Sequence, residues 1–144
     1  MRRRPVTVTV TVAASPERVW RALTRPEEVR AWDGARPLEV PTGYPMVGQQ
    51  ARWRTRLGPV PLTLHDRVVV VEPGHRLAAT LTYAFVHLDE EYRLAPGPAG
   101  GTTVTSGNRV GSRVPGLGWW ARRLVAGSVP AAMARLVDHC DTAP

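Results

Sequence analysis

Apolar and polar residues alternate strictly from residue 5 to residue 12, where the chain reads PVTVTVTV. Val6, Val8, Val10 and Val12 share one face and Thr7, Thr9 and Thr11 the other, the period-two pattern of a half-buried strand. The period then lengthens. Ser15 is a good N-cap and Pro16 suits a first helical position. Val19, Ala22 and Leu23 recur at helical spacing, with Trp20 beside them, so a helix is predicted over residues 16–23. Thr24 ahead of Pro26-Glu27-Glu28 repeats the device less cleanly, for a second helix that ends at about Trp32 before Asp33-Gly34.

Residues 35–50 are rich in Pro and Gly and read as loop around a short strand near residues 38–40. Strand patterns follow at residues 49–57, 61–72, 76–83, 85–94 and 102–110. Pro73-Gly74 and the Gly/Pro stretch at residues 96–101 punctuate them. From about residue 115 to residue 139 the period is helical again, with Leu117, Ala121, Leu124, Val125, Val129, Ala132, Met133, Leu136 and Cys140 on one stripe. Pro130 lies inside this helix and should kink it near residues 126–127.

Strands joined by short turns form a meander, and one face must be buried. The last helix is the only element long enough to bury it. The expected fold class is therefore α+β: a curved antiparallel sheet of six or seven strands gripping a long kinked C-terminal helix, with two short helices after strand one. A sheet curling round a helix leaves a hollow where the two do not touch, and that hollow is the expected functional feature.

With 144 residues the chain is expected to form one domain, residues 1–144. One cysteine, Cys140, permits no intrachain disulfide and suits a reducing compartment. Arg2-Arg3-Arg4 is followed by Val/Thr alternation and not by the continuous apolar run of a signal peptide, so a cytoplasmic location is expected. The net charge is +7, and all nineteen cations are arginine. Absence of lysine reads as codon bias and weakens the charge as a nucleic-acid signature. A nucleic-acid partner is not expected, since no recognition motif appears. A membrane partner is not expected either, since no apolar run reaches the roughly 20 residues of a span.

The order of elements resembles the START-like superfamily, also described as SRPBCC, with its helix-grip fold. The residues that carry the resemblance are the first strand leading into Ala14-Ser15-Pro16-Glu17-Arg18-Val19-Trp20-Arg21-Ala22-Leu23-Thr24, then Pro26-Glu27 and Trp32. Val71-Glu72-Pro73-Gly74-His75-Arg76-Leu77, Tyr92-Arg93-Leu94, Gly101-Thr102-Thr103-Val104-Thr105 and the late Arg135-Leu136 extend it over nearly the whole chain. Within the superfamily the chain is most similar to small bacterial polyketide cyclase/dehydrase-like proteins. That label spans aromatase/cyclases, lipid and hormone binders and quinone-binding proteins. The shared motifs set turns and caps, so the resemblance implies no catalytic residue.

Strand parity nominates the side chains that face the hollow. In residues 85–94 the polar set His87, Asp89, Glu91 and Arg93 faces water, which turns Val86, Leu88, Glu90, Tyr92 and Leu94 inward. Glu90 breaks that apolar face. It reads as a general acid or base, or a ligand anchor; a register slip or a pair with an arginine at the pocket rim would explain it without function. Asp66 shares a face with Leu62, Leu64, Val68 and Val70, unless a bulge in that long strand turns it outward. Inward, it would join Glu90 and raise one carboxyl pKa.

Ser106 and Asn108 can hydrogen-bond a ligand or the backbone. Trp53, Tyr83, Tyr92 and Met133 can line a cavity or fill a core. Trp20 and Trp32 read as core and lid residues at the short helices, and of Trp119-Trp120 one is expected buried. Arg52, Arg54 and Arg56 read as a solvated outer stripe, or as an anion anchor if Arg54 points inward. The four histidines have no metal-ligand spacing with Cys140, so neither metal nor cofactor is expected. The expected partner is a small, mostly apolar ligand, aromatic or polyketide- or lipid-like, held by a carrier or sensor without chemistry. The alternative is an aromatase/cyclase- or dehydratase-like enzyme using Glu90 or Asp66. Oligomeric state is left open.

Overall fold

A computed structural model describes residues 4–57 and 59–142, so Arg2 and Arg3 of the basic start lie outside the described residues. The chain runs β1 (Val6–Val12), α1 (Pro16–Thr24), α2 (Pro26–Asp33), β2 (Arg36–Glu39), β3 (Gln50–Leu57), β4 (Val60–Glu72), β5 (Arg76–Tyr83), β6 (Val86–Pro96), β7 (Thr102–Ser112) and α3 (Leu117–Thr142). The seven strands form one antiparallel sheet in the order β1-β7-β6-β5-β4-β3-β2. This is the expected α+β arrangement, and α3 packs on the sheet through β1 and β7. Because β1 and β2 occupy opposite edges, α1 and α2 must carry the chain across the sheet.

Local chemistry explains the helix ends. Ser15 Oγ accepts from the Arg18 N–H, and Pro16 opens α1. Thr24 does not cap α2, as its sequence position suggested. Its hydroxyl donates to Trp20 O at 2.7 Å, and Arg25 takes the cap position without a side-chain bond. α2 stops where Gly34 turns left-handed at φ 86°, a conformation that glycine adopts without strain. α3 stays helical through Pro130, whose missing N–H leaves the carbonyl of Ala126 without its helical donor. Both Trp119 and Trp120 are exposed, because Gly118 and Ala121 occupy the buried stripe; no tryptophan of the pair goes inside. Arg123 stacks on Trp119 instead, 4.9 Å from the ring centre.

Parity holds along most strands. The β1 valines face inward and its threonines face water. In β3 Ala51 and Trp53 are buried, and Arg52, Arg54 and Arg56 are exposed, so Arg54 points outward. In β4 the pattern breaks late. A bulge between Val68 and Val70 shifts the register against β5, leaving Val69 exposed. Val71, not Val70, then packs on the core opposite Leu77. The bulge lies beyond Asp66, which keeps its inward position and is 5% exposed.

The core divides into separate clusters. One joins Val12, Val19, Leu23, Trp32, Leu94, Val104, Met133 and Leu136. A second joins Leu81, Tyr83, Val86, Leu88, Val110, Ala121 and Val125. Along β6, Leu88 belongs to the second cluster and Leu94 to the first, with Glu90 and Tyr92 between them. Along β7, Val110 and Val104 divide the same way around Asn108 and Ser106. The apolar layers therefore part where the inward polar residues sit.

Candidate functional site

A cavity of about 170 Å³ lies between the sheet and α3. β4, β5 and β6 supply Leu62, Leu64, Leu81, Tyr83, Leu88, Glu90 and Tyr92; β7 supplies Ser106 and Asn108. α3 closes it with Val125, Val129 and Met133. A second compartment of about 80 Å³ reaches under α2 and contains Trp53, Asp66 and Tyr44. Asp33, Leu64, Leu81, Glu90 and Tyr92 border both compartments.

All eight nominated side chains line one space or the other. Tyr83, Ser106, Asn108 and Met133 line the larger, Trp53 and Asp66 the smaller, and Glu90 and Tyr92 stand between. Tyr44 and Asp33 are among the lining residues that escaped sequence reading. Tyr44 lies in the aperiodic loop before β3, where parity has no meaning. Asp33 read only as a helix stop, although an acid in the last turn of a helix opposes the helix dipole and so marks a residue placed for another reason.

Asp66 is held from one side. Tyr44 Oη makes a very short donation to Asp66 Oδ2, and Trp53 Nε1 donates to the same oxygen at 3.1 Å. Oδ1 is buried and has no partner among the described residues. Burial raises the Asp66 carboxyl above its ordinary value, and the two hydrogen bonds only partly offset that. Burial likewise pushes Tyr44 up, helped by the charge of Asp66.

Glu90 is enclosed by protein yet keeps accessible surface, because it lines the empty space. Burial, followed by repulsion from Asp33 and Asp66, pushes its carboxyl up to about 8. Asp33 is raised by burial, against the pull of Arg135 and a backbone hydrogen bond at Ala35. Three carboxyl groups thus share one region, and burial raises all three, Glu90 to about 8.

The hydroxyl of Tyr83 is buried with no partner among the described residues, and burial and the Glu90 charge push it up to about 12. Tyr92 is raised by burial and then by Glu90. Asn108 Nδ2 donates to Ser106 Oγ at 3.0 Å and reaches Val6 O at 3.5 Å, so its amide nitrogen serves the protein. Among the described residues no group of three His, Cys, Asp or Glu side chains could hold a metal ion. No helix there is long and apolar enough to cross a membrane.

No functionally curated protein matches the chain in sequence. Solved structures share its fold. DynU16, from the dynemicin biosynthetic locus, is 23% identical with a TM-score of 0.73 over 97% of this chain and 48% of its own. The chain thus spans about half the length of that protein. A START superfamily protein from Mycobacterium smegmatis is 15% identical, with a TM-score of 0.80 over 99% of this chain and 100% of its own. The Zhui aromatase/cyclase from Streptomyces sp. R1128 is 20% identical, with a TM-score of 0.73 over 95% of this chain and 90% of its own. Residues 3–141 match the family model described as polyketide cyclase / dehydrase and lipid transport, and the chain belongs to that family.

Proposed function

We propose that the protein binds a small, mostly apolar, oxygen-bearing molecule in the space between sheet and α3, as a carrier or sensor. One observation carries this reading: the core parts around a mainly apolar cavity whose lining includes Tyr83, a residue with a buried hydroxyl that has no partner among the described residues. A buried polar group without a partner costs free energy, and a ligand oxygen would remove that cost. Ligand pockets have this character, mainly apolar with a few placed polar groups. An apolar cavity of about 150 Å³ accommodates a benzene-sized molecule. The larger compartment is of that order, and the second is about half of it.

A second reading is favoured by the carboxyl cluster. A Glu90 pushed up to about 8 is suited to move a proton at a carbon beside a ligand carbonyl, as a general base when ionised and a general acid when protonated. The aromatase/cyclase function named for one structural neighbour is in keeping with such chemistry.

Native mass spectrometry of protein purified from its own host tests the binding reading, together with titration by N-phenyl-1-naphthylamine, a neutral fluorescent apolar probe. A discrete co-purifying mass, or saturable probe binding that Met133→Trp abolishes while the variant stays folded, is expected. Neither a bound species nor saturable probe binding would overturn the proposal. Glu90→Gln separates the two readings once a substrate is found. Unchanged turnover excludes the acid–base role, whereas loss of turnover with retained binding supports it.

A further inference from the structure

The larger cavity opens into a surface groove of about 720 Å³ between the end of α2, the start of β2, the end of β3 and the middle of α3. Asp33, Thr55, Arg56, Ser128 and Arg135 border both spaces, so the groove is the mouth of the cavity. Its walls hold five arginines, Arg30, Arg36, Arg54, Arg56 and Arg135, against the single carboxylate Asp33.

Arg135 pulls electrostatically on Asp33, but none of these cations is held at contact distance by an acid among the described residues. Among the described residues none of the five forms an ion pair within 4.0 Å. Arg54 donates to Thr63 Oγ1 and Arg135 to the carbonyl of Trp32, so only those two have hydrogen-bonded partners. Arg36 and Arg54 stand directly opposite each other on β2 and β3. Like charges in that relation destabilise a sheet. By contrast Arg52, on the same strand, is neutralised by Glu39 at 3.1 Å. The uncompensated charge gathers at the mouth.

We propose that the ligand is amphipathic and anionic: its apolar ring body fills the cavity while a carboxylate, sulfonate or phosphate attached to it stays among Arg30, Arg36 and Arg56. Arginine forks match such oxyanions in bidentate fashion. The groove contains no aromatic side chain on which nucleic-acid bases could stack, so a covalently attached anion suits it better than a polynucleotide. The inference rests on the cavity being a ligand site, as proposed above.

The test compares two fluorescent probes with one ring system, N-phenyl-1-naphthylamine and its sulfonated counterpart 8-anilino-1-naphthalenesulfonate. In low salt the sulfonate should bind about fivefold to tenfold more tightly, the range given by one or two exposed charge contacts. That preference should shrink to about twofold or less near 0.5 M salt, where exposed charges are screened. The double substitution Arg36→Gln/Arg56→Gln should remove most of the preference. Sodium methanesulfonate, compared with chloride at equal ionic strength, should not displace the sulfonated probe.

Equal affinity of the two probes, or a preference indifferent to salt, overturns the anionic ligand and leaves the cavity reading standing. Displacement by methanesulfonate at concentrations near the probe's own Kd assigns the groove to free anions and also overturns it. Failure of the neutral probe to bind removes the cavity reading and this inference together. The salt titration uses the unaltered protein, so the outcome is decided even if the double variant does not fold.

Discussion

Glu90 governs how this protein should respond to pH. Its carboxyl stands at about 8 in the fold against an ordinary value of 4.5, so the folded state prefers the protonated form. The sign follows from linkage: this stability is complete below about 4.5 and is lost as pH rises through about 8. Glu90→Gln keeps the shape and cannot ionise. Its stability relative to the parent protein should therefore rise between pH 5 and pH 9, on the order of 2–4 kcal/mol, as read by urea denaturation at several pH values. A pH-independent difference would mean that Glu90 ionises freely. This residue was legible in the sequence because one carboxylate interrupts an inward apolar series. Asp66 was legible up to the choice between two orientations. Tyr44, which bonds it, was not, because a loop without periodicity gives side chains no predictable direction.

The three helices are tied by a part-buried charged junction. Arg18 of α1 donates to Glu28 of α2 at 2.6 Å, and His139 of α3 meets the same carboxylate oxygen at 3.0 Å. Burial alone would raise Glu28, but hydrogen bonds from His139 and Arg18 hold it below its ordinary 4.5. Its contribution is therefore present above about 4.5 and lost as pH falls below it. Glu28→Gln should cost about 1–3 kcal/mol at pH 7, and the gap to the parent should close in acid denaturation experiments. A gap that stays constant down to pH 3 would assign the loss to packing instead. Elements were read within a few residues of their ends wherever the period was clean. A bulge in β4 was weighed at Asp66, but its actual place could not be read because it falls in Val68-Val69-Val70-Val71, four identical residues that carry no inside–outside signal. Trp119-Trp120 misled for a related reason: bulk suggested burial, whereas the small Gly118 and Ala121 let α3 approach the sheet.

At the scale of the whole molecule, an internal cavity links occupancy to stability. A ligand that binds only the folded state at about 100 times its Kd adds about 2.7 kcal/mol. For a protein of this size that should raise Tm by roughly 5–10 °C, measurable by calorimetry with the neutral naphthylamine probe. No shift at saturation would mean that the probe does not bind the folded state selectively. The fold class and the inward strand faces followed from period alone. The groove at the mouth did not, because Arg30, Arg36, Arg56 and Arg135 come from four elements that only the folded chain brings together.

Completion of the sheet depends on β1 finding β7. Val6 lies opposite Asn108, a separation of 102 residues. At about 5–20 residues per second, a ribosome takes roughly 5–20 s to make the missing partner. The valine face of β1 must wait through that interval while the β3-to-β6 hairpins assemble. Anything that slows translation of the last third of the chain should prolong the life of an unroofed intermediate, with its future cavity still open to the solvent.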